Sequence, residues 1–261
     1  MVTTLKRRPR LLVLLTLTVV AVVTAAVVIV IRANRMETVS PGEQRDRAAP
    51  GALIPPGQDQ VDCRKAKCIA LTFDGNPGEP TDRLMDLLKQ YKAPSTFFLE
   101  GRRIHEFPDV VRRMAEDGHE IGDHTWTHPV LTDVSDARVR DELRRTARAI
   151  SSLTGSAPTL MRPPQGRTDD RVSRISKELG LAQVLWTVTA KDYATDDTAL
   201  ITARVLEGAD RDGIVLLHPL HKGTVPAMPS ILKALGARGY TFVTVSQLLA
   251  PSKAEPGTIY R

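Results

Sequence analysis

Aromatic residues make up only 4% of this 261-residue chain, and cysteine occurs just twice, at Cys63 and Cys68. Two cysteines exclude a scaffold built mainly from disulfides. No internal repeat or low-complexity segment is present, which excludes solenoids and fibrous chains. An excess of one charge is also missing once the N-terminus is set aside. Lys and Arg number 36 against 30 Asp and Glu, a net charge of +6. Lys6, Arg7, Arg8, Arg10, Arg32 and Arg35 account for all six, since residues 1–36 contain no acid. The rest is balanced at 30 against 30, so no nucleic-acid partner is expected. With 42% hydrophobic and 25% charged residues, the chain can bury a real core. Its length suits one domain with appendages, since domains commonly run to roughly 100–200 residues.

One long apolar run is present. Residues 11–31 contain neither charge nor proline, and about 20 such residues cross a bilayer. Lys6, Arg7, Arg8 and Arg10 precede it, which predicts a cytoplasmic tail at 1–10 and a transmembrane signal anchor at 11–31. A cleaved signal peptide is the competing reading, but its apolar core is usually only about 7–15 residues. The expected location is the cell membrane, single-pass, with the C-terminal domain extracellular. Residues 32–65, punctuated by Pro41-Gly42, Pro50-Gly51 and Pro55-Pro56-Gly57, are expected to form a disordered spacer without helix or strand. Cys63 and Cys68, outside the membrane, suggest a small disulfide loop, with two free thiols as the alternative.

Beyond the spacer, strand and helix signals alternate. Short apolar runs at 69–73, 96–99, 119–122, 159–161, 183–188, 214–217 and 241–245 read as strands. Amphipathic stretches at 81–91, 108–117, 136–153, 170–179, 198–207 and 229–237 read as helices. Gly118, Gly155, Gly180, Gly208 and Gly239 stand where helices should stop. This alternation predicts a parallel α/β fold, and both an open doubly wound sheet and a (β/α) barrel fit it.

Polar residues recur just after the strand runs. Asp74 follows the first, His124 and His128 the third, Arg162 the fourth and Asp192 the fifth; His218 ends the sixth. In parallel α/β folds the carboxyl ends of strands share one face, and sites are built there. His124-Thr125-Trp126-Thr127-His128 spaces two imidazoles at i, i+4, which one helical turn would place side by side for a metal. Asp74 could serve as base, ligand or strand-end cap. Arg162 could orient a carboxylate, or lie at the surface beside a rigid turn. His218 could act as acid or base, or be a satisfied edge histidine. Trp126 could wall a sugar groove or pack in the core.

Thr72-Phe73-Asp74, His124-Thr125-Trp126-Thr127-His128, Arg162-Pro163-Pro164-Gln165-Gly166 and Leu216-Leu217-His218 resemble, in order and spacing, the motifs of polysaccharide deacetylases. This is the NodB-homology domain, carbohydrate esterase family four. The resemblance covers residues 66–249 and leaves 250–261 as a C-terminal tail. It implies a distorted (β/α) barrel and metal-dependent hydrolysis of acetyl groups, at carbon-nitrogen non-peptide bonds, on peptidoglycan or a chitin-like N-acetylated glycan. By match, His124 and His128 would hold a divalent metal ion of the zinc type. Asp74 would be the base and Arg162 would tether it. The backbone N–H of Gln165 would help stabilise the oxyanion, and His218 would protonate the leaving amine.

The chain departs from the family pattern at two side chains that matter. Where the family carries a second aspartate as metal ligand, this chain has Gly75. Thr189 stands where an aspartate usually supports the catalytic histidine, and Asp192 and Tyr193 fit the pair that follows. For the missing ligand, Asn76 or Glu79 could substitute, water or Asp74 could fill the position, or catalysis could be lost. The last outcome would leave a glycan-binding pseudoenzyme at the cell surface.

Overall fold

The computed structural model describes residues 37–49, 51–54 and 61–261. Within them Thr38–Arg261 is one compact unit. In chain order the strands are β1 (Lys67–Asn76), β2 (Thr96–Leu99), β3 (Glu120–Asp123), β4 (Leu160–Met161), β5 (Ala182–Val184), β6 (Val188–Thr189), β7 (Gly213–Leu217), β8 (Tyr240–Val243) and β9 (Ile259–Tyr260). They join in the order β6-β7-β1-β2-β3-β4-β5-β9, with β8 pairing the start of β1. Every strand pairing is parallel. Residues 68–74 of β1 and all of β2 and β7 are buried. Unbroken burial without alternation is what covering a parallel sheet on both faces requires.

β5 and β6 lie near opposite ends of the sheet path, yet only residues 185–187 separate them in sequence. The sheet therefore curls back on itself, and no described pairing closes it. This is the expected parallel α/β architecture, a barrel left open. Helices cover it through single apolar stripes. Thr81–Gln90 buries Leu84, Met85 and Leu88, and Asp136–Thr154 buries Val139, Leu143 and Ile150. The longer of these starts on Ser135, which accepts from the Arg138 backbone N–H, and stops at Gly155 in the left-handed region at φ 72°.

Several expectations change. The run at 183–188 is not one strand: it breaks into β5 and β6, because Arg162 takes the Val184 and Leu185 carbonyls that a ladder would use. The segment expected to be a structureless spacer carries a helix at Pro41–Asp46. Ser40 and Glu43 form a capping box and Pro41 occupies the first turn, which together nucleate the helix. Arg45 then pairs with Asp212 at 2.7 Å, and Val39 bridges to Tyr260. The C-terminal tail likewise joins the sheet, as β9. Cys63 and Cys68 are disulfide-bonded, with Cα atoms 5.5 Å apart. The anchor expected at 11–31 lies outside the described residues. Among those described, no helix is long and apolar enough to cross a membrane.

Candidate active site

The polar residues picked out at the strand ends do converge. They surround a cavity of about 680 Å³ lined by Asp74, His124, His128, Gln165 and His218. Arg162 and Asp192 stand directly behind two of these residues. Arg162 is fully buried, and its Nη1 donates to Asp74 Oδ1 at 2.8 Å. Its remaining donors go to Thr72 Oγ1 and the Val184 and Leu185 carbonyls, and its guanidinium lies 4.3 Å from the centroid of the Phe98 ring. A buried carboxylate of 4% exposure is thus fixed by a cation with a partner at each of its three nitrogens, the condition under which a buried ion pair is tolerated.

His124 is buried, and its Nδ1 lies 2.8 Å from the Arg162 carbonyl oxygen. A carbonyl can only accept, so Nδ1 carries the hydrogen and Nε2 keeps its lone pair. That Nε2 stands 3.7 Å from Asp74 Oδ2. Burial lowers the His124 pKa, an effect that the Asp74 charge opposes only in part, so the imidazole stays neutral. His128 packs against it with ring centroids 4.8 Å apart.

The two imidazoles meet, but not through a helical turn. Residues 124–128 form a loop with Thr125 at φ 68° and His128 at φ 60°. Buried carboxylates impose that shape. Asp123 Oδ1 accepts from the Thr125 backbone N–H at 2.8 Å, and Glu142 Oε2 accepts from those of Trp126 and Thr127 at 2.7 and 2.6 Å. These bonds replace the i→i−4 ladder. Trp126 does not line the cavity: it packs on the core, with the Arg145 guanidinium 4.3 Å from its ring centroid.

His218 is organised from the other side. Its Nδ1 lies 2.8 Å from Asp192 Oδ1, and Asp192 Oδ2 accepts from the His218 backbone N–H and from Thr224 Oγ1. Burial alone would lower the His218 pKa. The Asp192 hydrogen bond and the Asp74 and Asp192 charges outweigh it, and the net shift is upward. Burial likewise works against the Asp192 carboxylate, yet its bonds to His218 and the His218 charge hold it below the usual aspartate range. The support expected to be missing at Thr189 is therefore supplied by Asp192, while Thr189 lines the cavity and accepts from the Lys191 backbone N–H.

Gln165 lines the cavity at φ 57°. Glu100, Arg103 and His221 also line it, though none stands out in the sequence, and His221 packs beside His218. Glu100 follows β2 directly, so its position at a strand end was the available signal. His119 lies elsewhere: burial pushes its pKa down to about 4, and its Nδ1 accepts from the Ser95 backbone N–H.

The donors at the cavity fit a divalent ion in kind. His124 offers a locked, neutral Nε2, and His128 stands beside it. The set is one donor short, however, because Gly75 has no side chain. Among the described residues, no three His, Cys, Asp or Glu side chains already meet around one point. Gly75 forms the bulge where the β1–β2 register shifts between Asp74 and Asn76, at φ +79°. Neither expected substitute takes over. Asn76 is buried, with Oδ1 accepting from Thr81 Oγ1, and Glu79 is exposed and absent from the cavity wall.

The family model described as polysaccharide deacetylase matches residues 62–184. The peptidoglycan-N-acetylglucosamine deacetylase PgdA of Listeria monocytogenes is 38% identical over 183 residues, 70% of this chain. This chain spans only 39% of that relative's length. The solved structure of T48 deacetylase with substrate matches at 36% identity and a TM-score of 0.74, covering 77% of this chain and all of the other. A pseudoenzyme of carbohydrate esterase family four, BA3943 of Bacillus anthracis, matches at 27% identity and a TM-score of 0.68, over 76% of this chain and 70% of that one; a mutant of it is described as having restored enzymatic activity. With these motifs on one curled parallel sheet and the T48 deacetylase matched along its whole chain at 36% identity, the chain belongs to the polysaccharide deacetylase family.

Proposed function

We propose that this domain removes acetyl groups from an N-acetylated cell-wall glycan of the peptidoglycan type, with a divalent metal ion, zinc in our reading, held by His124 and His128. The observation that carries the proposal is the opposition across one cavity of an Arg162-bound Asp74 and an Asp192-bound His218. When bound, the ion would polarise the acetyl carbonyl and acidify water. Asp74, tethered through Oδ1, accepts the proton of the attacking water. The backbone N–H of Gln165 stabilises negative charge developing on the carbonyl oxygen. His218, with Nδ1 occupied by Asp192, delivers a proton from Nε2 to the departing amine as the carbon–nitrogen bond breaks. Acetate and a free amino sugar result.

The uncharged run at 11–31, preceded by Lys6, Arg7, Arg8 and Arg10, supports a tether to the cell membrane with the domain extracellular. Such a tether would keep the cavity beside the wall polymer.

The test is acetate release from peptidoglycan fragments and chitooligosaccharides, with and without chelator. Chelator-sensitive acetate release is expected. Gly75 favours a second reading, a pseudoenzyme that binds glycan. Glycan binding with no acetate at saturating zinc would establish it in place of the first.

A further inference from the structure

The ligand missing at Gly75 leaves two imidazoles facing a cavity with no third side chain in the usual place. A Cβ built on Gly75 would lie 3.8 Å from Glu100 Oε1, its one side-chain neighbour within ordinary contact distance. An aspartate's oxygens would lie two bonds beyond that Cβ. The Glu100 carboxylate, carried by the residue that follows β2, therefore lies in contact with the point from which a side chain at position 75 would start on β1.

The backbone holds Glu100 there. Its N–H donates to the Asn76 carbonyl at 3.0 Å, which ties the end of β2 to the far side of the bulge. Gly101, next in line, donates to the Thr125 carbonyl at 2.9 Å, which ties the same corner to the loop bearing His124 and His128. Glu100 is 9% exposed and lines the cavity with both histidines. Its two oxygens differ. Oε2 accepts from Arg102 Nε at 3.0 Å, lies 2.9 Å from Arg102 Nη2, and has Arg103 Nε 3.7 Å away. Oε1 takes no hydrogen bond among the described residues.

We infer that Glu100 is the third metal-binding side chain of this domain, taking from the neighbouring strand the part left vacant at Gly75. The inference rests on the metal-binding half of the proposed function. Glutamate has one more rotatable bond than aspartate, so a carboxylate can reach the same space from a more distant backbone. An anionic oxygen added to two imidazoles completes one of the three-ligand sets known for hydrolytic zinc sites. Arg102 competes for the same carboxylate. It is half-exposed, so screening limits its hold, and metal binding requires Glu100 to turn from Arg102 toward the histidines.

Three variants of the full chain test this, each freed of metal and titrated with zinc against a chromophoric chelator and with cobalt by visible absorption. Glu100→Gln keeps the shape and removes the anionic donor; its zinc affinity should fall roughly 100-fold, and the cobalt bands of tetrahedral coordination should weaken. Arg102→Ala removes the nearer of the two cations on that carboxylate, leaving Arg103 Nε at 3.7 Å, and should change zinc affinity in the opposite direction, a several-fold gain. Gly75→Asp in the Glu100→Gln background should restore tight binding. Melting of the metal-free proteins checks that each variant folds, and Arg102→Ala keeps the test decisive if Glu100→Gln does not. Zinc binding within twofold of the parent for both Glu100→Gln and Arg102→Ala would overturn the inference. If the parent and Glu100→Gln bind zinc alike and both release acetate, the Glu100 assignment falls and the deacetylase reading survives. If binding depends on Glu100 but no acetate appears, the assignment stands and the deacetylase reading falls.

Discussion

The two walls of the cavity differ in how completely their functional side chains are supported. On the His218 wall each polar atom of Asp192 has a partner: Oδ1 accepts from His218 Nδ1, and Oδ2 from the His218 backbone and Thr224. On the His124 wall the backbone is held as firmly, by Asp123 and Glu142, yet a side chain is missing at Gly75 and Glu100 is divided between the cavity and Arg102. Between them runs the Arg162–Asp74 pair, which belongs to both. A functional group can thus be lost while its scaffold persists, because loop shape and ligand identity are set by different residues.

Breaking the shared centre should have the largest effect. Arg162→Met leaves Asp74 buried without its cation, and we expect a loss of about 3–5 kcal/mol, read as a lower denaturant midpoint with an unchanged slope. Catalysis should show the His218 wall next. If the deacetylase reading holds, His218→Ala should reduce acetate release on the order of 10²–10⁴-fold while leaving zinc affinity nearly unchanged. His128→Ala, at the opposite wall, should abolish tight zinc binding and acetate release with it.

The pH dependence sharpens the contrast further. His218 titrates above its usual 6.5, so its pairing with Asp192 stabilises the fold fully below 6.5 and is lost as pH rises through the folded value. Asp192 titrates below its usual 3.8, so its contribution is present above 3.8 and is lost as pH falls through the folded value. Asp192→Asn should therefore cost most between these two values, and should lower the His218 pKa, readable by NMR titration of the imidazole. The smallest effect is expected behind the other wall. Glu142→Gln keeps the shape but puts an NH₂ where one of two accepting oxygens stood, for about 1–3 kcal/mol, together with line broadening of His128.

Much of this was legible along the chain. Asp74, His124, His128, Arg162 and His218 were all found by position after strand runs. That works because a parallel sheet brings carboxyl ends to one face whatever the register. The same rule covers Glu100, but Glu100 also directly precedes the Gly101–Ile104 helix. An acid there is also expected from the helix dipole, which masks the strand-end signal. Asn76 and Glu79 are nearer to Gly75 in sequence, but nearness along the chain does not place either side chain at the cavity. The loop at 124–128 was misread as helical because spacing of i, i+4 does not reveal that Glu142 will capture its backbone N–H groups. The helix at Pro41–Asp46 was readable: Ser40, Pro41 and Glu43 spell a capping box that the surrounding Pro-Gly pairs obscured.

By itself, the sequence determined the alternation of strands and helices, the parallel sheet and the face on which the reactive side chains gather. Those follow from periodicity and from strand direction, which are local or topological. Only the tertiary structure decided that Asp192 and not Thr189 holds His218, and that Glu100 and not Asn76 or Glu79 lines the cavity with Gly75. Those are matters of distance across neighbouring strands and loops, which separation along the chain does not give.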